Sequence, residues 1–147
     1  MVIYFSPQRA QRNTLSNTKA KILIMNREEI FKKVLDCSFK VHSNLGPGLL
    51  ESAYSECLYY DLKQCGLKVE KQKPLPLIYN EVHLDVGYRI ALLVEDCIVV
   101  EIKSIEALAD IHMAQILTYL KLSKCRSGLL ANFNVLHLKD GLKRVIL

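Results

Sequence analysis

The chain has 147 residues, 50% of them hydrophobic and 24% charged, enough for one domain with its own core. That apolar content with a net charge of only +5 excludes a disordered chain. No apolar run approaches the roughly 20 residues of a membrane-spanning helix, so no membrane partner is expected. The charge is uneven. Residues 1–25 carry Arg9, Arg12, Lys19 and Lys21 and no acid, which leaves 16 bases against 15 acids in residues 26–147. The folded part therefore has no global basic field for nucleic acid.

In chain order, residues 1–25 read as an unstructured basic extension, polar from Gln8 to Lys19. A faint likeness to a transit peptide, or a start placed upstream of Met25, are the other readings. Asn26 followed by Glu29 has capping-box spacing. Ile30, Val34, Cys37 and Val41 then recur every three or four residues, which predicts a helix over about 27–43. Gly46-Pro47-Gly48 breaks it, and a second helix is expected from about Leu49 to Gln64, stopped by Gly66. Extended chain follows over Leu67–Gln72, Leu75–Tyr79 and Val82–Val86. Tyr88–Val94 and Ile98–Lys103, joined at Glu95-Asp96, read as an antiparallel hairpin. A helix over about Leu108–Leu122 and short strands near Leu129–Ala131, Val135–Leu138 and Lys143–Ile146 complete the pattern. Helices, a strand meander, a helix and more strands argue for one α/β sandwich, with helices flanking a mixed central sheet.

The five cysteines are odd in number and form no C-x-x-C, and the start shows no secretory leader pattern. Reduced thiols in a cytoplasmic protein are expected. His42, His83, His112 and His137 are too scattered to build a zinc site with them.

Three local features could carry chemistry. In Glu101-Ile102-Lys103 the acid and the base share one face of a strand while Ile98, Val100 and Ile102 take the other. From E-x-K alone a solvated ion pair is the default, and a metal-liganding carboxylate beside a phosphate-facing lysine is the functional alternative. Glu51 and Tyr54, three apart, share a helix face. Glu51 reads by default as a first-turn acid and Tyr54 as core. Gln115 sits on the later helix, where a lone Gln is ordinarily a surface residue.

Together these residues resemble a known family. Gly48, Glu51 and Tyr54 match the G-x-x-E-x-x-Y signature of the GxxExxY proteins, a small bacterial and archaeal family similar to the PD-(D/E)XK nucleases. The likeness runs over about residues 27–147, through Val41 to Glu51, Tyr88 to Ser104, the Gln115 helix and Gly128 to Phe133. It implies a single-domain PD-(D/E)XK nuclease-like fold over residues 26–147 with an α-β-β-β-α-β core. It also implies catalytic residues Glu51, Glu101, Lys103 and Gln115, with Glu101 and Glu51 as ligands of Mg²⁺ or Mn²⁺. An Asp is expected at position 91, and this chain has Ala91. A three-residue turn at Glu95-Asp96-Cys97 would place Ala91 opposite Glu101, and a two-residue turn would shift that pairing. Asp85, on another strand, and Asp96, at the turn, are the candidates to replace the missing ligand.

The implied activity is metal-dependent phosphodiester hydrolysis on DNA or RNA, impaired at Ala91. The alternative is a non-catalytic nucleic-acid-binding or protein-interaction module on the same fold, and a third reading is a purely structural role. A homo-oligomer is compatible with the sequence but not indicated by it. Lys121, Lys124, Arg126, Lys139, Lys143 and Arg144 are the local basic candidates for a nucleic-acid surface, with ordinary solvated surface as the default.

Overall fold

The computed structural model describes residues 25–147. Its elements are helices α1 (Arg27–Leu45) and α2 (Glu51–Gln64), strands β1 (Val69–Tyr79), β2 (Val82–Val94) and β3 (Ile98–Lys103), helix α3 (Asp110–Ser123), strand β4 (Ser127–Asn132), a 3-10 turn at Leu138–Gly141, and strand β5 (Leu142–Ile146). The strands form one sheet in the order β1-β2-β3-β4-β5. All neighbours are antiparallel except β3 and β4, which run parallel with α3 as their crossover. The expected mixed sheet with flanking helices is therefore the fold.

The alternation of each strand divides the core in two. Val94, Ile98, Val100, Ile102, Leu129 and Ala131 face α1 and α2. Val99, Leu130 and Val145 face Ile116, Tyr119 and Leu120 of α3. A central sheet covered on both faces explains why β3 and β4 read as near-continuous apolar runs. Met25, at the end of the extension expected over residues 1–25, packs against the α1–α2 core. The rest of that extension lies outside the described residues.

α1 starts as its sequence predicts. The Asn26 side chain accepts from the Glu29 N–H at 2.9 Å, and its amide donates to the Glu29 carboxylate at 3.2 Å. The helix ends at Gly46, whose φ of 66° suits glycine and whose N–H bonds the His42 carbonyl at 2.7 Å.

Three boundaries differ from expectation. β1 runs unbroken through Pro74 and Pro76. As an outer strand of the sheet it tolerates residues without an N–H. β2 is likewise one strand through Gly87. Third, Val135–Leu138 is not a strand. The His42 ring nitrogen Nε2 bonds the Val135 carbonyl at 2.8 Å, and Leu138 opens the 3-10 turn instead. A side chain has taken the backbone partner that a ladder would have used. Among the described residues no helix is long and apolar enough to cross a membrane.

Candidate functional site

The β2–β3 hairpin fixes the site's register. Its loop is Glu95–Cys97, with Glu95 and Asp96 both in the left-handed region at φ of 50° and 53°. Val94, Leu93 and Leu92 pair with Ile98, Val99 and Val100. This is the three-residue-turn register, and one further step sets Ala91 across from Glu101. The backbone ladder stops there. The Ala91 N–H donates instead to Oε1 of the Glu101 side chain, at 3.1 Å.

β2 is irregular at the same point. Ile90 belongs to the α3 core and Leu92 to the α2 core, so strict alternation fails between them. Gln72, beside Ala91 on β1, has a φ of 53° and drops out of the β1–β2 register. Ala91 consequently lines a cleft of about 360 Å³ with Glu51, Ser52, Ser55, Gln72 and Ile102. An acid at position 91 would enter that cleft next to Glu51.

Glu101 is only 5% exposed. Burial is the main force raising its pKa, to about 7, and the charge of Glu51 adds to it. The Ala91 N–H and the Lys103 ammonium act in the opposite direction. A carboxyl in this setting carries its proton for much of the time at neutral pH.

Glu51 is the first residue of α2, so its charge sits favourably at the helix N-terminus. Its position is set by the loop before it. The Tyr54 hydroxyl donates to the Gly46 carbonyl at 2.5 Å and accepts from the Leu49 N–H at 3.1 Å. The Tyr54 ring is fully buried and stacks on Phe133 with centroids 4.7 Å apart. The Gly48 N–H donates to Asn134 Oδ1 at 3.1 Å, and Gly48 has a φ of 96° that a side chain would strain. The signature glycine and tyrosine therefore build the turn that presents its glutamate.

Lys103 ends β3 in parallel register with Asn132. Its carbonyl accepts from the Phe133 N–H at 2.9 Å. The next residue, Ser104, donates to the Leu49 carbonyl at 2.6 Å. Buried Asn132 exchanges two hydrogen bonds with the Ile105 backbone, at 3.1 and 3.0 Å. Asn134 also donates to the Ile105 carbonyl, at 3.3 Å. The segments carrying Glu51 and Lys103 are thus stitched to the end of β4. Sequence reading assigned no role to Ser104, Asn132 or Asn134. The bonds that tie them to residues 48, 49 and 105 span 27 to 86 residues, beyond any local spacing rule.

Gln115 is half-buried on α3. Its Nε2 donates to the Tyr119 hydroxyl at 3.1 Å. Burial raises the Tyr119 pKa most, the Gln115 bond lowers it, and the Glu101 charge raises it again. Gln115 therefore reaches the Glu101 neighbourhood through the phenol of Tyr119. Gln115 itself lines a second cleft, of about 470 Å³, with Tyr88, His112 and Thr118. Tyr119 joins the candidate site although sequence reasoning missed it, and the available signal was its i, i+4 spacing from Gln115.

Against this geometry, a family model described as the PD-(D/E)XK nuclease superfamily matches residues 28–145. The chain belongs to the PD-(D/E)XK nuclease superfamily. No curated protein and no solved structure matches it.

PD-(D/E)XK nucleases generally use divalent metals. Among the described residues no group of three or more His, Cys, Asp or Glu could hold an ion. The candidate replacements for the Asp expected at position 91 are engaged elsewhere. Asp96 pairs with Lys68 at 2.7 Å in the hairpin loop, and Asp85 accepts from the Gly87 N–H at 3.2 Å. The acidic donors are Glu101 and Glu51. Mg²⁺ is usually held by one or two carboxylates with water, so the donor chemistry of this pair fits a hard divalent ion. One of the two must first lose a proton, which weakens the fit near neutral pH.

Proposed function

We propose that the chain belongs to the GxxExxY branch and carries a metal-dependent phosphodiesterase site, for DNA or RNA, that is impaired at position 91. The observation that carries this reading is that Ala91 lines the cleft beside Glu51, so a methyl stands where the resemblance expects a second strand carboxylate. When bound, Mg²⁺ or Mn²⁺ would supply an activated water and offset charge on a phosphate. Glu101 and Glu51 would hold it, Glu101 after giving up its proton. Lys103, on the same strand face as Glu101, provides a fixed positive charge for an anionic phosphate oxygen. Gln115 orients the Tyr119 phenol near Glu101.

The basic residues at the end of α3 fit this role poorly. Lys121, Lys124 and Arg126 precede Ser127, which pairs with Ile98, whereas Lys103 pairs with Asn132 at the far end of the same two strands. Arg144 is engaged with Glu28 and lies over the Phe31 ring. Two other cations are better placed: Lys103, which acts on Glu101, and Arg89, which donates to the carbonyl of the cleft residue Gln72 at 3.5 Å. The reading places the chain in a reducing cytoplasm, on the odd number of cysteines and the lack of a C-x-x-C pair.

Ala91 also favours a second reading, a nucleic-acid-binding or protein-interaction module that no longer cuts. One panel separates them. The chain, Ala91→Asp and Glu101→Ala are incubated with single-stranded, duplex and branched DNA and RNA in Mg²⁺ or Mn²⁺. The impaired-site reading expects weak, Glu101-dependent cleavage that Ala91→Asp increases. Cleavage by Ala91→Asp alone, with metal-independent and salt-sensitive binding by the parent chain, supports the second reading. Cleavage by none of the three sinks the phosphodiesterase reading.

A further inference from the structure

Away from the cleft, the crossing of α1 and α2 brings two thiols together. Cys37 Sγ, on α1, and Cys65 Sγ, at the C-terminal cap of α2, are 3.6 Å apart. Cys37 is buried and Cys65 is exposed. One ion pair spans the crossing: Lys40, one turn beyond Cys37, pairs with Asp61 of α2 at 3.7 Å. The Cys65 N–H, bonded to the Asp61 carbonyl at 3.1 Å, fixes Cys65 at the end of α2. The two sulfurs need to close by only about 1.5 Å to reach disulfide length.

We propose that Cys37 and Cys65 form a reversible oxidation site for a low-molecular-weight disulfide such as oxidised glutathione, closing to a bond between α1 and α2. Exposure sets the order of events. The Cys65 thiolate attacks one sulfur of the small disulfide. That S–S bond breaks, and one small thiol leaves with the electron pair and takes up the proton Cys65 gave. The Cys37 thiolate then attacks the Cys65 sulfur of the mixed disulfide and expels the second small thiol in the same way. The protein loses two protons and two electrons, and the small disulfide takes them up to become two thiols.

Burial and the neighbouring Cys65 push the Cys37 thiol up to about 12. Cys37 is thereby a poor first attacker, and its fixed position beside Cys65 supplies the effective concentration that the resolving step needs. Cys57 is exposed on α2 and serves as an internal control, because a thiol without a resolving partner keeps its adduct. The bond would close a 28-residue separation and tie α1 to the far end of the helix that begins with Glu51.

The test equilibrates the full chain with graded ratios of reduced and oxidised glutathione, followed by non-reducing peptide mass analysis and thermal melting. The expected result is a Cys37–Cys65 cross-linked peptide, a glutathione adduct persisting on Cys57, and a Tm rise of roughly 5–10 °C that dithiothreitol reverses. Cys65→Ser, an exposed change, should abolish both cross-link and Tm rise. Cys37→Ala should stop at the glutathione adduct on Cys65. A persistent adduct on Cys65 of the parent chain without cross-linking, or a cross-link through Cys57 instead, would overturn the proposal.

Discussion

The loop entering α2 and the passage of β2 at Ala91 approach Glu101 from two sides, and they are held very differently. The first is fixed by Tyr54, Asn134 and Ser104, each placing a side-chain atom on a named backbone group of residues 46–49. The second has a gap in its β1 pairing, a left-handed residue at Gln72 and an alanine where an acid is expected. On the proposed reading, scaffold and chemistry have separated here. The loop that positions Glu51 is fully hydrogen-bonded, while position 91 offers the cleft a methyl in place of a carboxylate. A superfamily match over residues 28–145 reports the first part and is silent about the second.

The largest expected effect breaks the well-held side. Tyr54→Ala removes a fully buried aromatic, its stack on Phe133 and both of its hydrogen bonds. It should cost about 3–5 kcal/mol in denaturant unfolding. A loss below about 1 kcal/mol would mean the turn holds without it.

The next concerns the carboxyl between the two sides. Glu101 has a folded pKa of about 7 against an ordinary value of 4.5, so the folded state binds more protons than the unfolded state between those values. Its stabilising contribution is complete below the unfolded pKa and is lost as pH rises through 7. Unfolding measured from pH 5 to 8.5 should show a fall that Glu101→Gln removes. That difference should amount to roughly 3 kcal/mol at the alkaline end. The same slope in both proteins would assign the fall to another group.

How far the sequence foresaw this contrast depends on the range of the interactions. Helices α1 and α3, the β2–β3 hairpin and the glycine break were visible because apolar spacing, a capping pair and Gly-Pro-Gly act within a few residues. E-x-K placed Glu101 and Lys103 on one strand face by period alone. The choice between turn registers needed the backbone, because only the pairing of Val94 with Ile98 decides it. Val135–Leu138 looked like a strand because its branched and apolar residues fit one, and His42, 93 residues away, captured the Val135 carbonyl. Tyr119 was hidden for a related reason: an aromatic on the apolar face of α3 reads as core until its hydroxyl is seen beside Gln115.

Two smaller effects sharpen the comparison. Gly48→Ala forces a Cβ into a φ of 96° with open space around it, so the cost is backbone strain alone, about 1–2 kcal/mol in thermal or denaturant unfolding. Gln115→Ala should cost only about 0.5–1.5 kcal/mol. It should also raise the Tyr119 pKa, because the lost N–H favoured the phenolate. Ultraviolet titration of the tyrosines, with Tyr119→Phe as reference, reads that shift, and an unmoved phenol would remove Gln115 from the Glu101 neighbourhood.

The most direct test of the account is Mn²⁺ binding by calorimetry to the chain and to Ala91→Asp at pH 8, where Glu101 is mostly ionised. The account predicts weak binding by the chain, lost in Glu101→Ala, and an affinity at least about tenfold higher in Ala91→Asp, a gain near 1.4 kcal/mol. Equal affinity in the two proteins, or binding that survives Glu101→Ala, would contradict the claim that position 91 is what the site lacks.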